Sequence, residues 1–511
     1  MALGATIVAL SGFDGSEVRA QAAVVPTAAQ RSAARRKARS RAAAHIPVRH
    51  SWTSPSSGAA LLSDLTALLP GPVSGRFGAM VVSLTRGDTL FMHDAGTQVL
   101  PASTMKLFTS ALALERLGPD HRFSTEVLRD GGVGADGALR GNLILRGDGD
   151  PSLSPRLLGG LAADPMAMLA RGVAAAGIKR ITGDIIADGS AFDDRRVPEG
   201  WRKRYLQSAY AARVSALSLN ENLVWVVVRP GAKHAEVWLE PASSALPIIN
   251  NVKVVAGRGG KVWVRRGKDG AFDVRGTIGA QSFERRWSLV VEDPATFTAG
   301  VLKTALENAG VRVGGTVKPG VAPLTAARVA VLPSPPLADI VAAMNGESIN
   351  LFAELLFRAS ARGPDRIGVG SADNAHAELM RFLTQKVGVD AGAVMAKDGS
   401  GLSTLDRVTP RSLVKVLAYA NKAPWAAAYH ASLPVAGQSE TLRHRMRSTP
   451  AQGNLHAKTG TTNEVISLAG YVTARNGEVL AFAIVYNGRD RWRAKERIDR
   501  AGATLASFSR E

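Results

Sequence analysis

Ser103, Thr104, Met105 and Lys106 put a hydroxyl and an amine three residues apart in a stretch with helical spacing. On a helix that interval brings both side chains to one face, a turn apart. A serine hydroxyl is a poor nucleophile at neutral pH and needs a neighbour to take its proton, and a lysine can do so when burial or a second cation lowers its pKa. The N-terminal edge of the helix adds a field that favours a developing oxyanion. Two positions are a weak signal, and Ser412 to Lys415 repeats the spacing. That copy follows Thr409-Pro410, a common helix opening, so it reads as an ordinary first turn.

Two further groups strengthen the first. Ser348-Ile349-Asn350 stands in helical texture, and Lys458-Thr459-Gly460-Thr461 stands on a predicted strand. In the order Ser-x-x-Lys, Ser-x-Asn, Lys-Thr-Gly they resemble the signature of penicillin-binding proteins and β-lactamases. The bland alternative, three chance caps, turns and surface lysines, has to reproduce both order and context. A decoy, Ser218-Leu219-Asn220, lies in β-rich sequence and fails on context. The surplus length falls between the first and second groups, where Ser103 and Ser348 are 245 residues apart against 110 from Ser348 to Lys458. Over about residues 60 to 510 the chain therefore resembles the three-domain D-alanyl-D-alanine carboxypeptidase/endopeptidase family, the low-molecular-mass class C penicillin-binding proteins. Gly147 to Leu153, Asp398 to Ser403 and Ser432 to Gly437 also look like that family.

The resemblance implies a mechanism. Ser103 attacks the carbonyl of the penultimate D-alanine to give an acyl-enzyme that water hydrolyses, with Lys106 as general base. Ser348, bridging Lys106 and Lys458, passes a proton to the leaving amine, and Asn350 holds the substrate's amide. Lys458, Thr459, Gly460 and Thr461 form the site of the terminal carboxylate, with the amides of Ser103 and Thr461 as oxyanion hole. Asp150, before Pro151, has two readings: a contact for the side-chain ammonium of diaminopimelate, or a turn residue. Peptidoglycan peptides are the implied partners and β-lactam antibiotics the covalent inhibitors. No metal or cofactor enters.

Elements that could position these groups are legible on both sides of a foreign block. An apolar helical pattern runs through Leu61, Leu62, Leu65, Leu68 and Leu69. A hairpin follows, from Gly78 to Leu84 and from Thr89 to His93 around Gly87-Asp88. A helix spans Ser103 to Leu117. Residues 337–362 and 374–387 are helical in texture. Strands are predicted at 457–461, 467–474 and 478–486, the last two joined by Asn476-Gly477, before a terminal helix from Trp492 to Phe508. Between them, short β-rich runs such as 141–146, 223–229, 252–255, 262–265 and 287–292 fill residues 120–335. The expected fold is α/β: a serine β-lactamase/penicillin-binding-protein-like transpeptidase domain, an antiparallel sheet flanked by helices, in residues 59–119 and 336–511. It is split by a mostly β two-domain insertion at 120–335 and preceded by a leader at 1–58.

Composition narrows the function classes. The chain has 511 residues and is 46% hydrophobic, enough for several cores. It has no cysteine, which excludes disulfides, thiolate metal sites and a cysteine nucleophile. Its nine histidines show no His-Glu-x-x-His pair. A net charge of +20 calls for a polyanionic setting, yet no nucleic-acid-binding signature accompanies it. Nucleic acid is therefore not expected as a partner, while peripheral membrane or cell-wall association is. Ala2 to Leu10 and Ala20-Gln21-Ala22 outline an export signal, and residues 23–58 a basic leader, which together point to the periplasm. No run reaches the roughly 18 apolar residues of a membrane span. The rival readings are a β-lactamase or esterase with the same three groups, and a non-catalytic cell-wall-binding protein whose site is vestigial.

Overall fold

A computed structural model describes residues 51–69, 75–157, 164–267 and 270–511. The candidate signal and most of the basic leader lie outside the described residues. These fall into two compact units. The smaller comprises residues 225–240 and 246–287 and carries a hairpin, 225–230 on 235–240, and a three-stranded sheet. In that sheet Phe272–Gly279 lies between a parallel strand, Ile248–Val255, and an antiparallel one, Val262–Arg266.

The larger unit holds the described residues on either side of the smaller one in sequence and every candidate catalytic residue. Its main sheet has five antiparallel strands, numbered here in chain order: β1 Gly75–Ser83, β2 Thr89–His93, β3 His456–Thr461, β4 Val465–Thr473 and β5 Val479–Gly488. Their spatial order is β3-β4-β5-β1-β2. The first two strands thus close onto the last, although about 400 residues separate them in sequence.

Both faces of this sheet are buried, and the period of two along β5 sorts its side chains. Leu480, Phe482 and Ile484 enter a core with α1 (Gly58–Leu68) and a C-terminal helix, Arg491–Ser507. Ala481, Ala483 and Val485 enter the other core, where small residues leave room for the helices that carry the motifs. These are α2 (Lys106–Leu117), α3 (Leu337–Glu347), α4 (Asn350–Arg362) and α5 (Pro410–Ala420). The C-terminal helix is α6.

The inserted stretch folds on its own strands. One five-stranded sheet takes segments 317–319, 185–188, 143–146, 124–129 and 327–333. Two helices, Pro165–Ala175 and Pro294–Asn308, also lie in this stretch.

Two departures from the expected elements matter for chemistry. The helix expected from Ser103 begins as a 3₁₀ turn, Ala102–Met105, and turns α-helical at Lys106. Side chains at i and i+3 eclipse in a 3₁₀ turn, which sets Lys106 directly over Ser103. The helical stretch 337–362 is broken in two at Ser348, whose φ of 61° is left-handed. Such a conformation costs a serine roughly 1–3 kcal/mol. Burial of Leu351, Phe352, Leu355 and Leu356 just beyond it, roughly 1.5–3 kcal/mol each, outweighs that cost.

Candidate active site

Ser103 sits in a turn gripped from two sides by glycines. A Cβ on Gly401, whose φ is +81°, would stand 1.8 Å from the carbonyl oxygen of Ala102. One on Gly460 in β3 would stand 2.8 Å from the Pro101 carbonyl oxygen and 3.1 Å from the Ser103 amide nitrogen. No side chain fits at either place, so the edge of β3 lies flush against the nucleophile turn. Ser467, the partner of Gly460 in β4, ties the turn down by donating from Oγ to the Pro101 carbonyl at 2.8 Å. Thr104 Oγ1 donates to the same oxygen at 2.7 Å.

Lys106 is completely buried. Its Nζ lies 3.0 Å from Ser103 Oγ, 2.7 Å from Asn350 Oδ1 and 2.8 Å from the Ser400 carbonyl. Desolvation pulls its pKa down to about 7, against the pull of Asp398, Glu354 and Asp406. A neutral amine has two hydrogens and one lone pair. Asn350 and the Ser400 carbonyl, which can only accept, take the hydrogens and leave the lone pair facing the serine hydroxyl.

Lys458, equally buried, donates to Ser348 Oγ at 2.9 Å and to the Thr459 carbonyl at 3.0 Å. Desolvation, and then the nearby Lys106, hold its pKa well below the ordinary lysine value. The left-handed turn at Ser348 lets α3 end and α4 begin so that Ser348 meets Lys458 while Asn350 meets Lys106. The expected Ser348 bridge is present on the Lys458 side, and no hydrogen bond joins Ser348 to Lys106 among the described residues.

Sequence reasoning missed the groups that orient these lysines. The loop Asp398 to Ser403 wraps its backbone around a buried carboxylate: Asp398 accepts from the amides of Ser400, Gly401 and Ser403 and from Trp201 Nε1. That fold aims the Ser400 carbonyl at Lys106. Glu354 accepts from the Gly399 amide and Asp406 from the Lys397 amide. Burial and the neighbouring Asp398 push Glu354 up to about 8, so it holds its proton near neutrality, and push Asp406 well above its ordinary value. Asn350 is fixed from its other end by donating Nδ2 to the Tyr210 carbonyl at 2.9 Å. Tyr210 and Trp201 belong to a segment laced to the same loop through Ser403 Oγ on the Glu199 carbonyl. The phrase Asp-Gly-Ser-Gly-Leu-Ser was visible in sequence; nothing in it marked which atom would face the lysine.

No hydrogen bond joins Asp150 to this cluster among the described residues. It is 2% exposed, one oxygen accepts from the Ser152 amide at 2.7 Å, and the other is buried with no hydrogen-bond partner among the described residues. Of its two readings, this placement favours the turn. The second Ser-x-x-Lys is a capping box, with Ser412 and Thr409 bonded reciprocally, and Lys415 reaches out to the Gly388 carbonyl. In the decoy, Ser218 Oγ donates to the Ser215 carbonyl.

A half-buried serine against a fully buried lysine on a helix start, a second serine–lysine pair beside it and a glycine-edged strand, all on an antiparallel sheet backed by helices, define a penicillin-binding-type serine hydrolase. The comparisons agree with that class. The D-Ala-D-Ala carboxypeptidase 3 (S13) family matches residues 61–507. A D-alanyl-D-alanine carboxypeptidase of Actinomadura sp. (strain R39) is 36% identical over 450 residues, 84% of this chain and 81% of its own. D-alanyl-D-alanine carboxypeptidase DacB of Haemophilus influenzae is 28% identical over 84% of this chain and 88% of its own. The crystal structure of penicillin binding protein 4 (dacB) from Haemophilus influenzae superposes with a TM-score of 0.71 at 26% identity, covering 86% of this chain and 97% of that one. Another structure of that protein holds a β-lactam, with a TM-score of 0.66 at 25% identity over 86% of this chain and 97% of that one. The chain belongs to the D-Ala-D-Ala carboxypeptidase 3 (S13) family and is a serine-type D-Ala-D-Ala carboxypeptidase.

Proposed function

We propose that the enzyme trims peptidoglycan stem peptides outside the cytoplasmic membrane, in the periplasm, and opens D-alanyl crosslinks with the same serine. Lys106 Nζ takes the Ser103 proton as Oγ bonds to the carbonyl carbon of the penultimate D-alanine. The oxyanion rests on the amides of Ser103 and Thr461, each such donor contributing roughly 3–4 kcal/mol to barrier lowering. Ser348 hands its proton to the departing amine and is reprotonated by the proton that Lys106 took, so the C–N bond breaks with Lys106 neutral again. Water then attacks the ester, Lys106 takes its proton, and that proton returns to Ser103 Oγ as the acid leaves. Lys458, Thr459 and Thr461, along the edge freed by Gly460, hold the terminal carboxylate. Asn350, fixed between Lys106 and Tyr210, presents its amide to the substrate. A small pocket lined by Leu100, Ala102, Arg202, Tyr205, Leu402 and Thr462 flanks the serine and receives the stem peptide's side chains. β-Lactams acylate Ser103 by the same first step.

The observation that carries this reading is the desolvated Lys106 amine, 3.0 Å from Ser103 Oγ with both its hydrogens engaged elsewhere. Incubation with uncrosslinked pentapeptide and crosslinked muropeptides, followed by mass separation, tests it. Release of free D-alanine from the first and of two stem peptides from the second is expected. Intact substrates alongside rapid cephalosporin turnover would replace the reading with a β-lactamase.

Asp150→Asn tests the turn. The ratio of kcat/KM for diaminopimelate peptides to that for their side-chain-acetylated versions is expected to match the parent's. Burial raises the Asp150 carboxyl to about 6 from 3.8, so the folded state binds its proton more tightly than the unfolded chain does. Stability from that proton is full below the unfolded pKa and is lost as pH rises through about 6. The parent therefore loses stability relative to Asp150→Asn between about pH 4 and 6, by on the order of 2–3 kcal/mol. Denaturant titrations at both pH values check this, and a changed substrate ratio returns Asp150 to the site.

A further inference from the structure

Helix α6 opens with an indole in water. Trp492 is 78% exposed, on a first turn capped by the Asp490 carboxylate accepting from the Arg493 amide. It forms one wall of a groove of about 260 Å³, and the turn from His444 to Arg447 forms the other. The floor is fixed: Asp499 accepts from Arg445 Nε at 2.8 Å and Nη2 at 2.5 Å, and from Lys495 at 3.4 Å. On the rim His444, Arg447 and Glu496 are exposed. Among the described residues neither His444 nor Arg447 has a carboxylate partner.

An aromatic wall facing hydrogen-bonding and cationic groups across a polar groove suits a sugar chain that carries anions. The C–H face of a pyranose covers the indole, its hydroxyls and amides meet Glu496 and His444, and carboxylates meet Arg447. A bilayer surface is a poorer fit, since it takes a protruding aromatic on a flat basic face and disfavours the acidic Glu496. The groove is also tied to the catalytic frame, because Arg491, the residue before Trp492, donates to the Thr462 carbonyl at 2.8 Å. Thr462 directly follows the Lys-Thr-Gly-Thr strand.

We propose that the groove between Trp492 and Arg447 binds the glycan strand of peptidoglycan, holding the polymer from which the stem peptide in the Ser103 cleft branches. This rests on the substrate assigned above. The test uses Trp492→Ala and Arg447→Glu in the full chain. Binding is read by sedimentation with insoluble glycan stripped of peptides, and turnover with intact sacculi and with a short soluble pentapeptide. Both variants are expected to lose about tenfold in glycan binding and in sacculus hydrolysis, the size of a lost aromatic or charged anchor. Pentapeptide cleavage and penicillin acylation keep parental rates, which also reports an intact fold. Glycan binding by Trp492→Ala equal to the parent's overturns the proposal. So does a loss confined to vesicles of anionic phospholipid, which would make the face a membrane contact. A parent that binds glycan and leaves the pentapeptide uncut refutes the assigned substrate and not the groove.

Discussion

Ser103→Ala is expected to abolish both peptide cleavage and covalent penicillin labelling while the protein keeps its fold. Loss of a nucleophile that acts in concert with its base costs about 10⁶-fold in turnover, which places the variant at background. The turn itself does not depend on the hydroxyl. It is held by Thr104 and Ser467 on the Pro101 carbonyl and by the close approach of Gly401 and Gly460, so thermal unfolding should match the parent. Ser412→Ala is the internal control, because it repeats the motif spacing inside a capping box. It removes the N3 half of that box, the hydroxyl accepting from the Thr409 amide, at the cost of one hydrogen bond, about 0.5–1.5 kcal/mol of stability, and leaves labelling intact. Mass spectrometry after penicillin treatment reads both variants. A labelled Ser103→Ala protein would mean that another residue is the nucleophile.

The site was legible because its chemistry depends on intervals along single elements. Ser103 and Lys106 share one turn, Ser348 and Asn350 one helix junction, and Lys458 to Thr461 one strand, so each spacing survives in sequence. The catalytic sheet was legible for a similar reason: β4 and β5 are apolar runs joined at Asn476-Gly477, and Gly477 takes the positive φ, 84°, that such a hairpin turn requires. What stayed hidden was long-range. The Ser400 and Tyr210 carbonyls reach the site through loops, and no local pattern says where a carbonyl will point. The insertion's texture concealed two helices, although Asp164-Pro165 and Asp293-Pro294 each combine an N-cap carboxylate with a proline in the first turn. The surrounding β-rich runs dominated that reading. The left-handed conformation of Ser348 was hidden too, since it is imposed by packing on either side of a residue with no preference for it.

Lys106 is the second large effect, and pH separates its role from a merely structural one. Its buried amine has a pKa near 7 in the folded protein, and only the neutral form can accept the Ser103 proton. Acylation by the parent should therefore rise with pH through about 7 and fall about tenfold per unit below it. Lys106→Ala is expected to lose roughly 10²–10⁴-fold in acylation and to lose that inflection with it. The chain contains no cysteine, so Lys106→Cys provides a single thiol that can be aminoethylated in denaturant and refolded, returning an amine at nearly the same reach. Recovery of acylation, together with a pH inflection absent from the unmodified Cys variant, assigns the inflection to this side chain. Lys458→Ala gives the contrast: it should weaken a carboxylate-terminated peptide more than a matched uncharged ester, whereas Lys106→Ala slows both alike. If Lys106→Ala keeps the parental pH profile at a lower rate, the base is another group, and Lys106 serves to hold Asn350 and the 398–403 loop in place.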